Sequence, residues 1–159
     1  MTLMFILFTN PILGVLVGAV LTAIIQSSSA SVGILQGLCG TGVVTYGSAI
    51  PIILGQNIGT CITAIMGAIG ANRNARRTAM VHLLFNVVGV LIFVVAFYGM
   101  GMFIDWKFVS ETAAAWDIAV IHTCFNVAAT IVLMPLNGML VKLAYLFIPK
   151  EQTPQKVEL

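Results

Sequence analysis

Apolar residues run along this chain in helix-length blocks, and the blocks stop at a few sharply polar points. Residues 1–8 are apolar but too short to cross a bilayer. Asn10-Pro11 reads as a helix start, with Asn as N-cap and Pro at the first helical position. The apolar run that follows stops at Gln26-Ser27-Ser28-Ser29, resumes at Val32 and ends in the glycine-rich Gly40-Thr41-Gly42. A second run starts near Ser48 with Pro51 in its first turn. The pattern predicts that it breaks at Gly55-Gln56-Asn57 and continues to residue 69. An uninterrupted helix is expected over about 79–101, another over 117–134 ending at Pro135, and a shorter interfacial one over 136–148. Residues 150–159 form a polar tail.

Two halves of about 14 and 10 residues are each too short to span roughly 30 Å of hydrocarbon. Segment 11–39 could be a broken span or a re-entrant helical hairpin with its tip at 26–29, and these lengths favour the hairpin. Arg73, Arg76 and Arg77 mark the loop 70–77 as cytoplasmic, because positive residues favour that side. The loop 102–116, whose one basic residue is Lys107, then lies outside, and the C-terminus with Lys142, Lys150 and Lys156 returns to the cytoplasm. The broken segment 48–69 would cross from outside to inside.

Composition sharpens the solvent. Of 159 residues, 60% are hydrophobic and 8% charged, against about 25% charged in a soluble domain. No Asp, Glu, Lys or Arg precedes Arg73. In lipid the backbone must satisfy its own hydrogen bonds, and runs such as 89–96 lack the alternation of a barrel strand, so the expected fold is an all-α, multi-pass integral membrane protein. The net charge of +2 is too small to suggest a nucleic-acid partner. Cys39, Cys61 and Cys124 have no paired spacing and read as small buried residues rather than a disulfide framework or metal site. Trp106 and Trp116 suit interfacial anchoring.

The chemistry concentrates at the two polar interruptions. Irregular backbone at membrane depth is tolerated only where protein or water meets its polar groups, and paired broken segments point to a transporter site. A half-helix starting after each break would present free N–H groups and partial positive charge to an anion. Ser and Thr hydroxyls can donate to an oxyanion, while hydroxyl, amide and carbonyl oxygens can ligate a hard cation. With no basic residue nearby, a multivalent anion would be costly to bury alone, and co-bound sodium would offset its charge. The alternative is that these small residues only help helices pack, as in the pairs Gly14/Gly18 and Gly33/Gly37.

The run Gln26-Ser27-Ser28-Ser29-Ala30, the segment Gly55-Gln56-Asn57-Ile58-Gly59-Thr60-Cys61-Ile62-Thr63-Ala64, and Arg76-Arg77-Thr78-Ala79 before His82-Leu83-Leu84-Phe85-Asn86 together resemble the sodium/phosphate cotransporter family over most of residues 10–149. Members carry two inverted repeats, each with a Gln-Ser-Ser-Ser hairpin, and bind phosphate and sodium between them. The resemblance implies phosphate contacts from Gln26, Ser27, Ser28, Ser29, Asn57 and Gly59. It implies sodium contacts from Gln26, Ser28, Thr60 and Thr63, with Na+ as coupling ion and no organic cofactor. This chain has one such motif and resembles the second membrane repeat of a bacterial member. Its implied partners are inorganic phosphate, sodium, the lipid bilayer and a second repeat, from a missing N-terminal half or another copy. The implied function is sodium-coupled phosphate transport across a bacterial plasma membrane. Transport of another oxyanion and a non-transporting membrane subunit are the alternatives. An enzyme is not expected: no nucleophile-elbow pattern or partner carboxylate accompanies the serines.

His82-Leu83-Leu84-Phe85-Asn86 and His122-Thr123-Cys124-Phe125-Asn126 form a short internal repeat. His, Phe and Asn at i, i+3 and i+4 share one helical face. These four polar residues, His82, Asn86, His122 and Asn126, read as scaffold behind the site. Asp117 suits a helix start.

Overall fold

The structure, a computed structural model, describes residues 10–149. The helices are α1 (Pro11–Ile25), α2 (Ser28–Cys39), α3 (Tyr46–Gly67), α4 (Arg73–Gly101), α5 (Ala115–Leu133) and α6 (Asn137–Phe147), with a 3-10 turn at Lys107–Ser110 between α4 and α5. Among the described residues the β structure amounts to one isolated bridge, Thr45 to Thr112. Helices α3, α4 and α5 are long and apolar enough to cross a membrane, so the chain is an all-α, multi-span bundle.

The expected break at Gly55-Gln56-Asn57 does not occur: α3 is one continuous helix of 22 residues. Its polar side chains are satisfied without opening the ladder. Asn57 Nδ2 donates to Ile53 O at 2.9 Å, Thr60 Oγ1 to Gln56 O at 2.8 Å and Thr63 Oγ1 to Thr60 O at 2.9 Å. The glycines serve packing instead. A Cβ on Gly55 would overlap the Val15 carbonyl, and one on Gly59 would overlap the Ala19 carbonyl; on the facing helix, one on Gly18 would overlap the Ile52 carbonyl. Backbone thus meets backbone along the α1–α3 contact, the most extensive helix contact among the described residues.

The order of these contacts sets direction. Gly14 meets Pro51, Gly18 meets Ile52 and Gln56, and Thr22 meets Gly59, so α1 runs parallel to α3. On α2 the order reverses: Ser31 meets Gln56, while Leu35 and Cys39 cluster with Ala49, Ile52 and Ile53. The chain therefore turns back on itself between α1 and α2, at Gln26 and Ser27. Gln26 makes the turn at φ 57°, a left-handed conformation that a non-glycine residue rarely adopts. Asn10 caps α1 by accepting from the Ile12 and Leu13 N–H groups at 3.0 and 3.3 Å.

Other boundaries also moved. Thr45 and Ser48 form a reciprocal capping box, so α3 starts at Tyr46 and Pro51 lies beyond the first turn. Asn72 caps α4 at the Ala75 N–H, which places Arg73, Arg76 and Arg77 in the first turns of that helix rather than in a loop. At the start of α5, Asp117 accepts the Ala114 N–H at 2.7 Å.

Two apolar clusters hold the bundle. One joins Leu35 and Cys39 to Val44, Ala49, Ile52, Ile53, Ala113 and Ile118. The other joins Leu54, Val90, Phe125 and Ala129, with Phe93 and Phe125 edge to face at 4.9 Å. Gly33 and Gly37 have open space where a Cβ would stand, so the packing expected of that pair is absent among the described residues. Helix α6 is tied back to α4: Arg77 donates to Ile148 O and Pro149 O and lies 4.2 Å from the Tyr145 ring, and Arg73 donates to Pro149 O. The tail 150–159 and the segment 1–8 lie outside the described residues.

Candidate functional site: the hairpin turn and the polar cleft beside it

Helix α2 begins where the Gln-Ser-Ser-Ser run predicts a half-helix. Ser27 is its N-cap, accepting the Ala30 N–H at 3.3 Å, and its hydroxyl lies 3.3 Å from that of Ser29. Ser28 and Ser29 occupy the first helical positions, whose N–H groups have no intrahelical acceptor. Free donors, hydroxyls and the positive end of the helix dipole thus converge at this turn. No equivalent exists on α3, because the second helix start required the break that is absent.

Beside the turn lies a cleft of about 210 Å³ between α2, α3, α4 and α5. Ser28, Asn57 and Thr60 form one wall. His82, Phe85 and Asn86 of α4 with His122 and Asn126 of α5 form the other. The structure therefore brings three of the residues implied in binding together with all four of those read as scaffold, because both His-x-x-Phe-Asn repeats turn the same face to this cleft. The remaining candidates lie apart. Gln26 is exposed and donates to Met66 Sδ at 3.2 Å. Ser27 and Ser29 stay at the turn, and Thr63 is exposed with its hydroxyl on the Thr60 carbonyl. Gly59 lies in the α1–α3 contact, against Ala19 and Thr22.

Behind the turn is a buried polar network that the sequence reading left unassigned. Thr22 Oγ1 donates to Ser31 Oγ at 2.7 Å, and Gln56 Nε2 donates to both Ser31 O and Ser31 Oγ at 3.0 Å. All three residues are inaccessible to solvent. Gln56 Oε1 has no partner among the described residues. This network pins α1, α2 and α3 together one turn above the Gln26 reversal. A signal was present: Thr22 continues the i, i+4 stripe of Gly14 and Gly18, so it had to face α3.

A family model described as Na+/Pi-cotransporter matches residues 2–112. The chain belongs to this family. It is a family of membrane cotransporters, not of enzymes. The uncharacterized protein YqeW of Bacillus subtilis (strain 168) is 39% identical over 134 residues, covering 84% of this chain and 43% of that protein. Human sodium-dependent phosphate transport protein 2B is 45% identical over 84 residues, covering 50% of this chain and 12% of that protein. The rat sodium-dependent phosphate transport protein 2A is 41% identical over 93 residues, covering 54% and 14%. The chain thus spans less than half the length of these curated relatives. No solved structure matches it significantly. Within the Na+/Pi-cotransporter match lie the hairpin turn, all of α3 and the first His-x-x-Phe-Asn repeat; the second repeat, in α5, lies beyond it.

Proposed function

We propose that this chain supplies one of two repeats of a sodium-coupled inorganic phosphate transporter in a bacterial plasma membrane. The observation that carries the reading is the turn at Gln26–Ser29. It offers backbone donors, three hydroxyls and a helix N-terminus to an oxyanion without a basic side chain, and it opens beside a cleft lined by uncharged oxygens. The relatives named as sodium-dependent phosphate transport proteins support the same assignment. Phosphate is held by Gln26, Ser27, Ser28 and Ser29; sodium, near Ser28, Thr60 and Thr63, offsets its charge.

Helix α1 has 15 residues, or about 22 Å at 1.5 Å per residue, short of the roughly 30 Å hydrocarbon core. The α1–α2 hairpin therefore enters and leaves the membrane on one side. Helices α3, α4 and α5 cross it, and Arg73, Arg76 and Arg77 set the start of α4 in the cytoplasm, with the C-terminus on that side. The inverted partner repeat faces the hairpin and completes the site.

Phosphate uptake into proteoliposomes that hold the chain with its partner repeat tests the reading. Uptake is expected to require an inward sodium gradient. Equal uptake driven by potassium alone removes the coupling, and sodium-driven uptake of sulfate in preference to phosphate reassigns the substrate.

A further inference from the structure

Away from the hairpin turn, α4 and α6 enclose a groove of about 310 Å³ that the transport reading does not use. Its two walls run in matching order. Arg77 of α4 lies 4.2 Å from the ring of Tyr145 of α6. One turn further along α4, Val81 shares the groove with Val141, one turn back along α6, and Asn74 extends the other end. The groove is therefore polar and cationic near the start of α4 and apolar towards the middle of that helix.

The polar end is built to donate. Arg77 gives Nε to Ile148 O at 3.0 Å, Nη2 to Pro149 O at 2.9 Å and Nη1 to Asn74 Oδ1 at 3.0 Å. These bonds use three of its five N–H groups and leave one on each terminal nitrogen. A guanidinium only donates, so Asn74 must turn its oxygen to Arg77 and its amide nitrogen away. Arg73 and Arg76 bring the charge to three guanidiniums within five residues. Among the described residues the carboxylates are Asp105, Glu111 and Asp117, in the loop after α4 and at the start of α5. Helix α4 has 29 residues, about 43 Å at 1.5 Å per residue, so these carboxylates lie several screening lengths away. The tail sets Lys150 and Lys156 against Glu151 and Glu158, and its side chains add no net charge.

A small anion would use only the cationic end of this groove, and a hydrocarbon chain only the apolar end. A ligand that matches both carries an anionic headgroup and an acyl tail in that order. We infer that the α4–α6 groove binds an anionic phospholipid, its phosphodiester on Arg77 and Asn74 and an acyl chain along Val81 and Val141. The planar fork of arginine matches phosphate oxygens, and basic pockets between membrane helices take such headgroups. Bound there, the lipid bridges α4 and α6 and reinforces the tie that Arg77 already makes. In the orientation proposed above, the headgroup lies in the cytoplasmic leaflet.

Native mass spectrometry of the full chain tests the site, by titration in detergent with phosphatidylglycerol or with phosphatidylcholine of the same acyl chains. The first phosphatidylglycerol should bind about tenfold or more tightly than the first phosphatidylcholine, since each arginine near an anionic surface is worth roughly a fivefold preference. Asn74→Asp keeps an oxygen for Arg77 and suits the first turn of α4, but sets a carboxylate against the phosphodiester, so most of that preference should vanish. Val141→Trp fills the apolar end and should weaken phosphatidylglycerol binding severalfold. Amide exchange across 137–149 checks that α6 stays docked in each variant. Equal binding of the two lipids overturns the site, as does unchanged phosphatidylglycerol binding in docked Asn74→Asp. If Asn74→Asp undocks α6, Val141→Trp decides, and unchanged binding there overturns the site. Displacement of the lipid by excess inorganic phosphate makes the groove a free-anion site and overturns the lipid assignment. Binding is read without uptake, so failure of this site leaves the transport reading standing.

Discussion

Gly55→Ala adds one methyl group where two helix backbones touch. Its Cβ would overlap the Val15 carbonyl oxygen and stand 2.9 Å from the Ala19 nitrogen. Both neighbours are main-chain atoms of α1, so no rotamer change relieves the clash, and α1 must move away from α3. Overpacking of this kind costs about 1–3 kcal/mol. The intrinsic helix preference for Ala over Gly returns about 1 kcal/mol, which leaves a net loss of up to roughly 2 kcal/mol. Gly33→Ala and Gly37→Ala place the same methyl in open space on α2, so they collect the propensity gain alone and should raise stability by a few tenths to about 1 kcal/mol. The assay is thermal unfolding of the detergent-solubilised chain, followed by the fluorescence of Trp106 and Trp116. The expected order of melting temperatures is Gly33→Ala above the unsubstituted chain, and the unsubstituted chain above Gly55→Ala. A Gly55→Ala protein that melts above the unsubstituted chain, as Gly33→Ala should, refutes the backbone contact between α1 and α3. A Gly33→Ala protein destabilised as much as Gly55→Ala shows that α2 has a close neighbour after all.

Ser31→Ala removes the acceptor shared by Thr22 and Gln56; with buried polar groups left unpaired, a loss of about 1–3 kcal/mol is expected in the same melting assay, and a change near zero would mean the network is not formed. Arg77→Ala removes the contacts to Ile148 O, Pro149 O and the Tyr145 ring, so backbone amide exchange across 137–149 should accelerate. Arg77→Lys should restore it only in part, because an ammonium cannot reproduce the planar fork; full protection in either variant contradicts the tie. Thr63→Ala should raise the sodium concentration needed for half-maximal uptake while melting within a few degrees of the unsubstituted chain, and an unchanged sodium requirement removes Thr63 from the cation path.

Much of the architecture was legible because a bilayer leaves few choices. A charge-free stretch before Arg73 forces helices, and Asn10-Pro11, the Gln-Ser-Ser-Ser run and Gly40-Thr41-Gly42 mark where they start and stop. Ser27 caps α2 because a short hydroxyl side chain before a helical run competes well for the first free N–H groups. The same reasoning failed at Gly55-Gln56-Asn57. Glycine and polar residues side by side look like a helix break when read in one dimension. In the folded chain the glycines let α1 approach, and the asparagine and threonines bond to their own helix carbonyls. Local composition cannot separate a glycine that bends a helix from one that packs it, since the difference lies in what stands opposite.

The candidate site divides along the same line. Sequence alone determined that the polar residues before Arg73 are uncharged, that they gather in two clusters, Gln26 to Ser29 and Gln56 to Thr63, and that the family is that of the Na+/Pi cotransporters. These follow from residue type and short spacing. Only the tertiary structure decided that Asn86 and Asn126 share a cleft with Asn57, that Gln26 faces away from it, and that Thr22, Ser31 and Gln56 form the buried link behind the turn. These pairings join helices far apart in the chain. They depend on which face each helix turns inward, and that is settled by the joint packing of all the helices rather than by any one of them.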